Sequence, residues 1–287
     1  MEMRHIKHYF QTACERYSVM LAKEAGDPKP WTEDAILQSW KFCNVHREDD
    51  RTTRWFRENI RDPLVETGAD PCQIVESTII FRWFNRIETG EMIRDLLIYG
   101  WDEKAARERL TGVKPLVTGA FIVKTPDNFN KLEGLLEVIR EAVRMLHSKR
   151  FGHEWYSLEQ AWTALTAIPF LGPFMSYEVV SDLRWTPVLS EASDIMTWAN
   201  PGPGCTKGIS RVLHGHPGVL NRMYVLDRKL MFSVMREILE MTNDQEYWPE
   251  TWRSWEMREV EHWACEYDKY CRVKEGERIK QKYDGGL

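Results

Sequence analysis

Apolar residues recur with a helical period along most of the chain. In residues 131–147 they have the i, i+3, i+4 and i+7 spacing of an amphipathic helix, at Leu132, Leu135, Leu136, Ile139, Val143 and Leu146. Residues 226–241 repeat this period, and a final helix is expected from about Glu256 to Cys271. The best strand-like run is residues 117–123, and a single run does not make a sheet. The pattern therefore predicts an all-α fold, or nearly so.

A helical hairpin is predicted between residues 157 and 183. Ser157 and Gln160 have the spacing of a capping box at the start of a short helix. Pro173 follows near the first position of a second helix, where proline is tolerated, and Gly172 allows close approach of the backbone to a neighbour. The free N–H groups of that helix N-terminus are able to bind a phosphate. We therefore expect Gly172, Pro173 and Phe174 to contact DNA, with a hairpin that binds no ligand as the alternative.

The composition is that of a globular protein. The chain has 287 residues, of which 43% are apolar, and 39 Lys and Arg against 44 Asp and Glu give a net charge of -5. We expect one domain over residues 1–287. No segment approaches the roughly 20 apolar residues of a membrane span, and the N-terminus lacks the pattern of a signal peptide. Six cysteines without disulfide or zinc-site spacing indicate reduced thiols in a cytoplasm, that of the host if the protein is viral.

The slight acidity does not exclude a nucleic-acid partner, because phosphate binding needs only a local basic surface. Thirteen tryptophans either fill a helical core or, in a few cases, stack on bases. Residues 272–282 carry five basic and two acidic side chains, and this tail either follows a DNA backbone or is a solvated terminus.

The hairpin and the residues after it resemble the helix-hairpin-helix DNA glycosylase superfamily. Ile168-Pro-Phe-Leu-Gly172 takes the place of the hairpin motif, Asp194 that of the essential aspartate, and Ile209–Gly215 that of the helix after it. The resemblance implies a glycosylase-like core over about residues 155–240, with helical extensions at both ends. Phe174 replaces the lysine of lyase-type members, so strand cleavage through a Schiff base is not expected. Residues 198–208 look like an insertion that this superfamily lacks.

Three further segments, residues 42–56, 81–86 and 260–270, resemble a bacteriophage family, the α-glutamyl/putrescinyl-thymine pyrophosphorylases or amino acid:DNA transferases. The helical domain attached to the kinase of that pathway shares some of these segments. The resemblance implies a transferase that follows a separate DNA kinase. It would replace the pyrophosphate of pyrophosphorylated 5-hydroxymethyluracil in double-stranded DNA by an amine, either an amino acid or a polyamine. The target base would have to leave the helical stack to be reached.

This chemistry needs a base for the amine and cations for the pyrophosphate. We expect Asp194 to be the catalytic carboxylate, although Ser-Asp before residue 195 also has the form of a helix N-cap. Gly202, Gly204 and Thr206 are expected to bind the pyrophosphate through backbone N–H groups, with Lys207 adding a positive charge. The alternative is a glycine loop that only turns the chain. No P-loop sequence is present.

The charged segment 44–54 is a second candidate site. If it is helical, Arg47, either Asp50 or Arg51, and Arg54 share a face. Such a set suits pyrophosphate, with catalytic roles expected for Arg47 and Asp50. Asn44 and Glu48 add polar contacts, and Glu48 with Asp50 could bind a divalent cation such as Mg²⁺. No cofactor is certain, and a solvated charged face is the alternative.

Two other polar sets complete the candidates. Arg82 and Asn85 lie in an otherwise apolar helix and need partners, which are either the substrate or buried backbone. Lys269 and Arg272, near the C-terminus, are expected to contact DNA. Cys265 is not expected to be a nucleophile, because His262 three residues before it is too weak a signal.

Other classes of function remain open on the sequence alone. A true DNA glycosylase would use the hairpin and Asp194 to release a free base. A non-catalytic helix-hairpin-helix module would bind DNA without needing Asp194. A kinase is not expected, because the chain has no Walker A motif.

Overall fold

A computed structural model describes residues 3–277 and 279. Within these residues the chain is helical, and no β-strand occurs. The α-helices are α1 (Ile6–Ala25), α2 (Ala35–Ser39), α3 (Arg51–Phe56), α4 (Asp62–Glu66), α5 (Pro71–Phe84), α6 (Ile87–Tyr99), α7 (Glu103–Leu110), α8 (Lys131–Lys149), α9 (Leu158–Thr166), α10 (Gly172–Leu183), α11 (Pro203–His214), α12 (Val225–Met241) and α13 (Met257–Lys274). A short 3-10 turn covers Arg47–Asp49, and a π-helical turn, Arg57–Arg61, joins α3 to α4.

The chain forms two compact units. Unit 1 comprises Met1–Asp50 and Ile195–Leu287, and unit 2 comprises Arg51–Asp194. The glycosylase-like core expected over residues 155–240 therefore falls partly in each unit. The single domain expected over residues 1–287 stays a prediction.

Unit 1 is built around α13, against which α1, α2, α11 and α12 pack. Its core is rich in aromatic rings, among them the buried side chains of Tyr9, Phe10, Trp248, Trp255 and Trp263. The ring centroids of Trp248 and Trp255 lie 5.1 Å apart in an edge-on arrangement. These tryptophans therefore fill the core, which is one of the two roles that the composition allowed.

The closest helix contact in unit 1 depends on two glycines of α11. A Cβ atom at Gly208 would lie 1.9 Å from the backbone oxygen of Ala264, and one at Gly204 would lie 2.3 Å from Cys265 Sγ. Both distances are far inside van der Waals contact, so only glycine allows α11 to approach α13 this closely. Residues 203–208 form the first turns of α11. The insertion expected at residues 198–208 is therefore in part the start of the helix that it was expected to precede.

Unit 2 is organised around α5, whose side chains are buried along nearly its whole length. Helices α6, α8 and α10 pack on it, and α9 packs on α10. Phe56 stacks on Phe81 of α5 with ring centroids 4.7 Å apart. Gly90 of α6 lies against Trp55, where a Cβ would come within 2.5 Å of the ring. The centre of unit 2 is therefore an apolar helix that is buried along nearly its whole length.

The prediction of a helical protein is confirmed, and the observed bounds of α8, α12 and α13 include or closely match the expected ones. The paired helices expected between residues 157 and 183 are α9 and α10. A closer likeness to DNA glycosylases is not confirmed. The strand-like run 117–123 is irregular, and residues 194–197 form turns where a helix start was the alternative. Among the described residues, no helix combines the length and apolar character needed to cross a membrane.

Substitution of Gly208 by Ala should destabilise the protein strongly. The new methyl group would meet a backbone oxygen, which cannot rotate away as a side chain can. We expect the free energy of unfolding to fall by about 3 kcal/mol or more, the upper range for overpacking. Urea denaturation followed by circular dichroism measures this change.

Lys207→Ala is the matched control for the Gly208 variant, because Lys207 is exposed on the same helix. Its free energy of unfolding should stay within about 0.5 kcal/mol of the wild-type value. Equal stability of the Gly208→Ala variant and the wild type would contradict the close contact between α11 and α13.

Candidate functional site

A cluster of polar side chains in unit 1 lies where residues 42–50 meet α13. The backbone N–H of Cys43 donates to Glu266 Oε2 of α13 at 3.0 Å. Asn44 fixes the loop from inside: its N–H donates to Asp50 Oδ1 at 2.8 Å, and its side-chain amide donates to the Asp49 carbonyl at 2.7 Å. Arg16 of α1 donates to the Asn44 side-chain oxygen at 2.6 Å. The loop is therefore positioned by hydrogen bonds to two helices. Two of the sequence segments singled out above, 42–56 and 260–270, contribute to this one cluster.

Asp50 is a partly exposed carboxyl group of this cluster with a raised pKa. Its side chain is 25% exposed, so small molecules can reach it. Burial raises its pKa to about 6, and the nearby charge of Glu266 adds to this rise. The Asn44 N–H and the charges of Arg16 and Arg47 oppose it. A carboxyl group with such a pKa changes its protonation near neutral pH, which is typical of groups that transfer protons.

His262 of α13 faces Asp50. Its Nε2 lies 3.8 Å from Asp50 Oδ2, and its side chain is 14% exposed. Burial lowers the pKa of His262 well below 6.5, the charges of Arg258 and Arg47 add to this, and a hydrogen bond to the Asn44 backbone opposes it. The imidazole is therefore neutral at physiological pH and keeps a lone pair on one ring nitrogen.

The common helical face expected for Arg47, Asp50 and Arg54 does not exist. Arg47 and Glu48 are buried in the 3-10 turn, Asp50 is extended with φ −69° and ψ 135°, and α3 begins only at residue 51. Arg54 belongs to α3 of unit 2. Of this segment, the structure brings together Asn44, Arg47 and Asp50.

Asp194 caps a helix of unit 2. Its Oδ1 accepts from the N–H of Leu158 at 2.7 Å, and its Oδ2 accepts from that of Glu159 at 3.0 Å. Both carboxylate oxygens thus serve the first turn of α9, where Ser157 also accepts from Gln160 N–H. The capping role considered for Asp194 is real, but it serves α9 and not a helix at residue 195. Its catalytic role stays a prediction.

The expected glycine loop at residues 202–208 is the start of α11. Gly202 is the N-cap, and Gly204 packs on α13. The Thr206 hydroxyl donates to the Gly202 carbonyl at 3.0 Å, within the helix. Lys207 is exposed on the outer face. Gly204 and Thr206 therefore have structural roles that their spacing did not suggest, and pyrophosphate binding by this segment stays a prediction.

Arg82 and Asn85 of unit 2 have protein partners. Arg82 donates through Nε and Nη2 to the two oxygens of Asp182 at 2.5 and 2.7 Å, and through Nη1 to Asn85 Oδ1 at 2.7 Å. The side chains of Arg82 and Asp182 are 3% and 0% exposed. The pair joins α5 to α10, so the polar residues in the apolar helix form a buried ion pair.

The hairpin loop between α9 and α10 exposes two aromatic rings. Gly172 has φ +65° and no atom within 4 Å of an added Cβ, so it is needed for its left-handed conformation and not for close approach. Phe170 and Phe174 are 46% and 53% exposed. The carbonyl of Pro173 accepts from the Trp162 indole at 2.9 Å. DNA contact by this loop stays a prediction.

The two cationic residues expected to contact DNA lie on α13. Lys269 donates to Glu266 at 3.1 Å and lies over the Phe42 ring, and Arg272 donates to Glu277 at 2.7 Å. The rest of the basic tail, residues 278 and 280–282, lies outside the described residues.

Sequence reasoning missed Cys43, His262 and Glu266 as members of one site. The Cys43 thiol, an Asp50 oxygen and a His262 nitrogen all lie within 4.8 Å of one another. No local spacing could have indicated this cluster, because Cys43 and His262 are 219 positions apart. The only indication was that residues 42–56 and 260–270, which contain Cys43 and His262, both resemble segments of one bacteriophage family.

Comparison with known proteins gives a consistent result. A family model described as the helical domain of 5-hmdU DNA kinase matches residues 3–280. The 5-hmdU DNA kinase of Bacillus phage SP10 is 28% identical over 295 aligned positions, which cover 94% of this chain and 45% of that protein. The chain thus spans less than half the length of this relative. No solved structure matches the chain.

These matches correct the expected activity. A transferase that replaces pyrophosphate by an amine is wrong, because the family and the relative are named for a kinase. Neither the amine substrate nor a place after the kinase is supported, and the glycosylase and binding-module alternatives are not supported either. The lack of a Walker A motif therefore does not exclude a relation to a DNA kinase. The relation to phage modification of 5-hydroxymethyluracil remains.

Breaking the buried ion pair of unit 2 should destabilise the protein. In Asp182→Asn the Arg82 guanidinium stays buried without its counter-charge, so we expect a loss of about 3–5 kcal/mol in the free energy of unfolding. The control is Glu141→Gln, which breaks the exposed ion pair of Glu141 with Arg144. This variant should leave the free energy of unfolding nearly unchanged, because water and salt screen exposed pairs. Similar losses in urea denaturation for both variants would contradict this assignment.

The stability of the protein should reveal the raised pKa of Asp50. Because this pKa rises from 3.8 to about 6 on folding, the folded state binds the proton more tightly than the unfolded state. The contribution of Asp50 to the free energy of unfolding therefore falls as the pH rises from about 4 through 6.

Asp50→Asn removes this dependence and keeps an acceptor for the Asn44 N–H. From pH 4 to pH 7.5 the variant should gain roughly 1–3 kcal/mol relative to the wild type in EDTA-containing buffer. Urea denaturation at several pH values measures the difference. Asp27→Asn, at an exposed position, is the control, and a pH-independent difference for Asp50→Asn would exclude the raised pKa.

Proposed function

Because this chain belongs to the family of helical domains of 5-hmdU DNA kinases, we propose that it acts in the phosphorylation of 5-hydroxymethyl-2′-deoxyuridine in DNA. The observation that carries the proposal is the family match, which extends over nearly the whole chain. The name of the SP10 relative supports the same reaction. Such a reaction transfers a phosphoryl group to the oxygen of the 5-hydroxymethyl group, and that oxygen loses its proton.

We assign the acceptor side of this reaction to the cluster around Asp50. In kinases an aspartate beside the acceptor hydroxyl orients it and accepts its proton. Asp50 suits this role, since its side chain is partly exposed and its pKa of about 6 leaves it mostly ionised at neutral pH. The positive charge of Arg47, which acts on Asp50, would also attract the incoming phosphoryl group.

The donor side is not assigned to residues of this chain. The sequence contains no Gly-x-x-x-x-Gly-Lys-Ser/Thr segment, and phosphoryl donors in many kinases are bound by such a P-loop. Within the proposal, this chain presents the modified base at the Asp50 cluster of unit 1. Stacking of the exposed Phe170 and Phe174 of unit 2 on DNA is a separate prediction. The proposal assigns no role to Asp194, because both of its carboxylate oxygens accept hydrogen bonds from the first turn of α9.

Binding to matched DNA duplexes tests the proposal. The full chain is titrated with two duplexes that differ only in one position, which is 5-hydroxymethyl-2′-deoxyuridine or thymidine, and the Kd values are measured by fluorescence anisotropy at fixed salt. One additional hydrogen bond from the hydroxyl group predicts about a tenfold preference for the modified duplex. Asp50→Asn should lose most of this preference, whereas Asp27→Asn should retain it.

Nucleoside mass spectrometry after incubation of the modified duplex with ATP and Mg²⁺ adds a chemical readout. A nucleoside heavier by one phosphoryl group would place the whole reaction in this chain and support the proposal. Release of free base, or equal Kd values for the two duplexes without any phosphorylated product, would overturn it.

A further inference from the structure

We propose that Cys43, Asp50 and His262 bind a divalent transition-metal ion, with Zn²⁺ as the ion that best fits their chemistry. One ligand atom from each residue lies within 4.8 Å of the other two. The His262 and Asp50 atoms are 3.8 Å apart, close to the separation of two ligands that share an ion at about 2.0–2.3 Å. Small side-chain rotations would bring all three to bonding distance.

The set of donor atoms selects the class of metal. Thiolate and imidazole are ligands for Zn²⁺ and its neighbours in the periodic table, whereas Mg²⁺ and Ca²⁺ prefer oxygen alone. Three protein ligands of the Cys, His and carboxylate types leave one tetrahedral position open. That arrangement is found in catalytic zinc sites, where the fourth position binds water or a substrate oxygen.

The surroundings of the three residues are those of a metal site. Metal-bound histidines generally donate their second ring N–H to a carbonyl or carboxylate, and bound carboxylates are themselves hydrogen-bonded. Asn44 supplies both functions. Its backbone carbonyl accepts a hydrogen bond from the His262 ring, and its backbone N–H donates to Asp50 Oδ1 at 2.8 Å. Asp50 Oδ2 then faces His262 Nε2. That nitrogen is buried and has no hydrogen-bond partner, an unusual state that a metal ion would explain.

The charges around Cys43, Asp50 and His262 are also compatible with a bound metal cation. The ligands supply two negative charges once Cys43 is deprotonated, and Glu266 lies beside them. Of the cations, Arg258 is paired with Glu261 at 2.9 Å, Lys269 is paired with Glu266, and Arg16 is bound to Asn44. Arg47 acts on both Asp50 and His262 and weakens binding. Burial raises the pKa of the Cys43 thiol well above its usual value, so the metal-free protein carries a protonated thiol there. Metal binding must release this proton and therefore strengthens with rising pH.

The metal would also change how Asp50 acts. The direct proton transfer to Asp50 proposed above applies to the metal-free site. With a metal ion bound, Asp50 would instead act on the 5-hydroxymethyl group through the ion, which would lower the pKa of a bound hydroxyl. This last step rests on the proposed function. The metal site itself rests only on the geometry of the three residues and their neighbours.

Metal binding to the purified full chain tests the inference. After removal of metals with a chelator, the protein is titrated with Zn²⁺ and with Co²⁺, and bound metal is measured by mass spectrometry after gel filtration. We expect one ion per chain. With Co²⁺ we also expect the near-ultraviolet charge-transfer absorption of a cobalt–thiolate bond, with d–d bands of tetrahedral intensity.

Variants identify the ligands. Cys43→Ser should abolish the charge-transfer band, and His262→Gln should weaken Co²⁺ binding by at least about 100-fold, more than the 10–100-fold typical of residues around the ligands. His262→Cys retains a ligand and should intensify the band, which separates loss of a ligand from loss of folding. The matched control is Cys14→Ser, another half-buried cysteine of unit 1, which should leave the band unchanged.

Two results would overturn the metal site. One is a wild-type protein that retains no stoichiometric metal after gel filtration, and the other is a charge-transfer band that survives Cys43→Ser. Both results are measured without DNA, so they do not depend on the proposed function. A protein that binds one Zn²⁺ but does not prefer the modified duplex would retain the metal site and lose the proposed function, and the converse result would do the opposite.

Discussion

The close contact between α11 and α13 is the constraint on which the rest of unit 1 depends. Gly204 and Gly208 bring the two backbones together without intervening side chains. With one face of α13 fixed in this way, its remaining faces meet the aromatic core and residues 42–50. His262 and Glu266 belong to the turns that meet this loop. A small change in the distance between the helices would therefore move the polar cluster around Asp50.

That cluster lowers the stability of the folded protein. A carboxyl group whose pKa is raised by burial destabilises the folded protein at neutral pH, and a buried nitrogen without a partner adds to this cost. By contrast, the ion pair of Arg82 and Asp182 in unit 2 is bidentate and fully buried, which suits a structural role. The difference between the two charged sites is a physical reason to assign the function to the first.

The sequence predicted the parts of the structure that local pattern determines. Helices α8, α12 and α13 follow from apolar periodicity, and the α9–α10 hairpin follows from a cap and a proline. The role of Gly204 and Gly208 was missed because a Gly-Pro-Gly segment suggests a turn, whereas Pro203 is tolerated in the first turn of α11. The helical face expected through Asp50 failed because residues 47–49 form a 3-10 turn and Asp50 is extended, so no continuous helix runs from residue 47 to residue 54.

The site and the activity were harder to predict for different reasons. Cys43 and His262 meet only through the packing of α13 on the loop, and no spacing in the sequence indicates that contact.

The activity was predicted wrongly because the segments at residues 42–56, 81–86 and 260–270 resemble both a transferase family and the helical domain of a kinase. Only the match over residues 3–280 separated the two. Residues such as Arg82, which carry part of that resemblance, maintain the fold.

The central claim is that the modified base binds beside Asp50, and photo-cross-linking tests it most directly. A duplex that carries 5-iodo-2′-deoxyuridine places its halogen where the hydroxymethyl group would be. After irradiation with the full chain, the cross-linked peptide is identified by mass spectrometry. The account predicts attachment within residues 40–50 or on α13, and competition by a duplex that contains 5-hydroxymethyl-2′-deoxyuridine. Attachment only to unit 2, for example at Phe170 or Phe174, would contradict it.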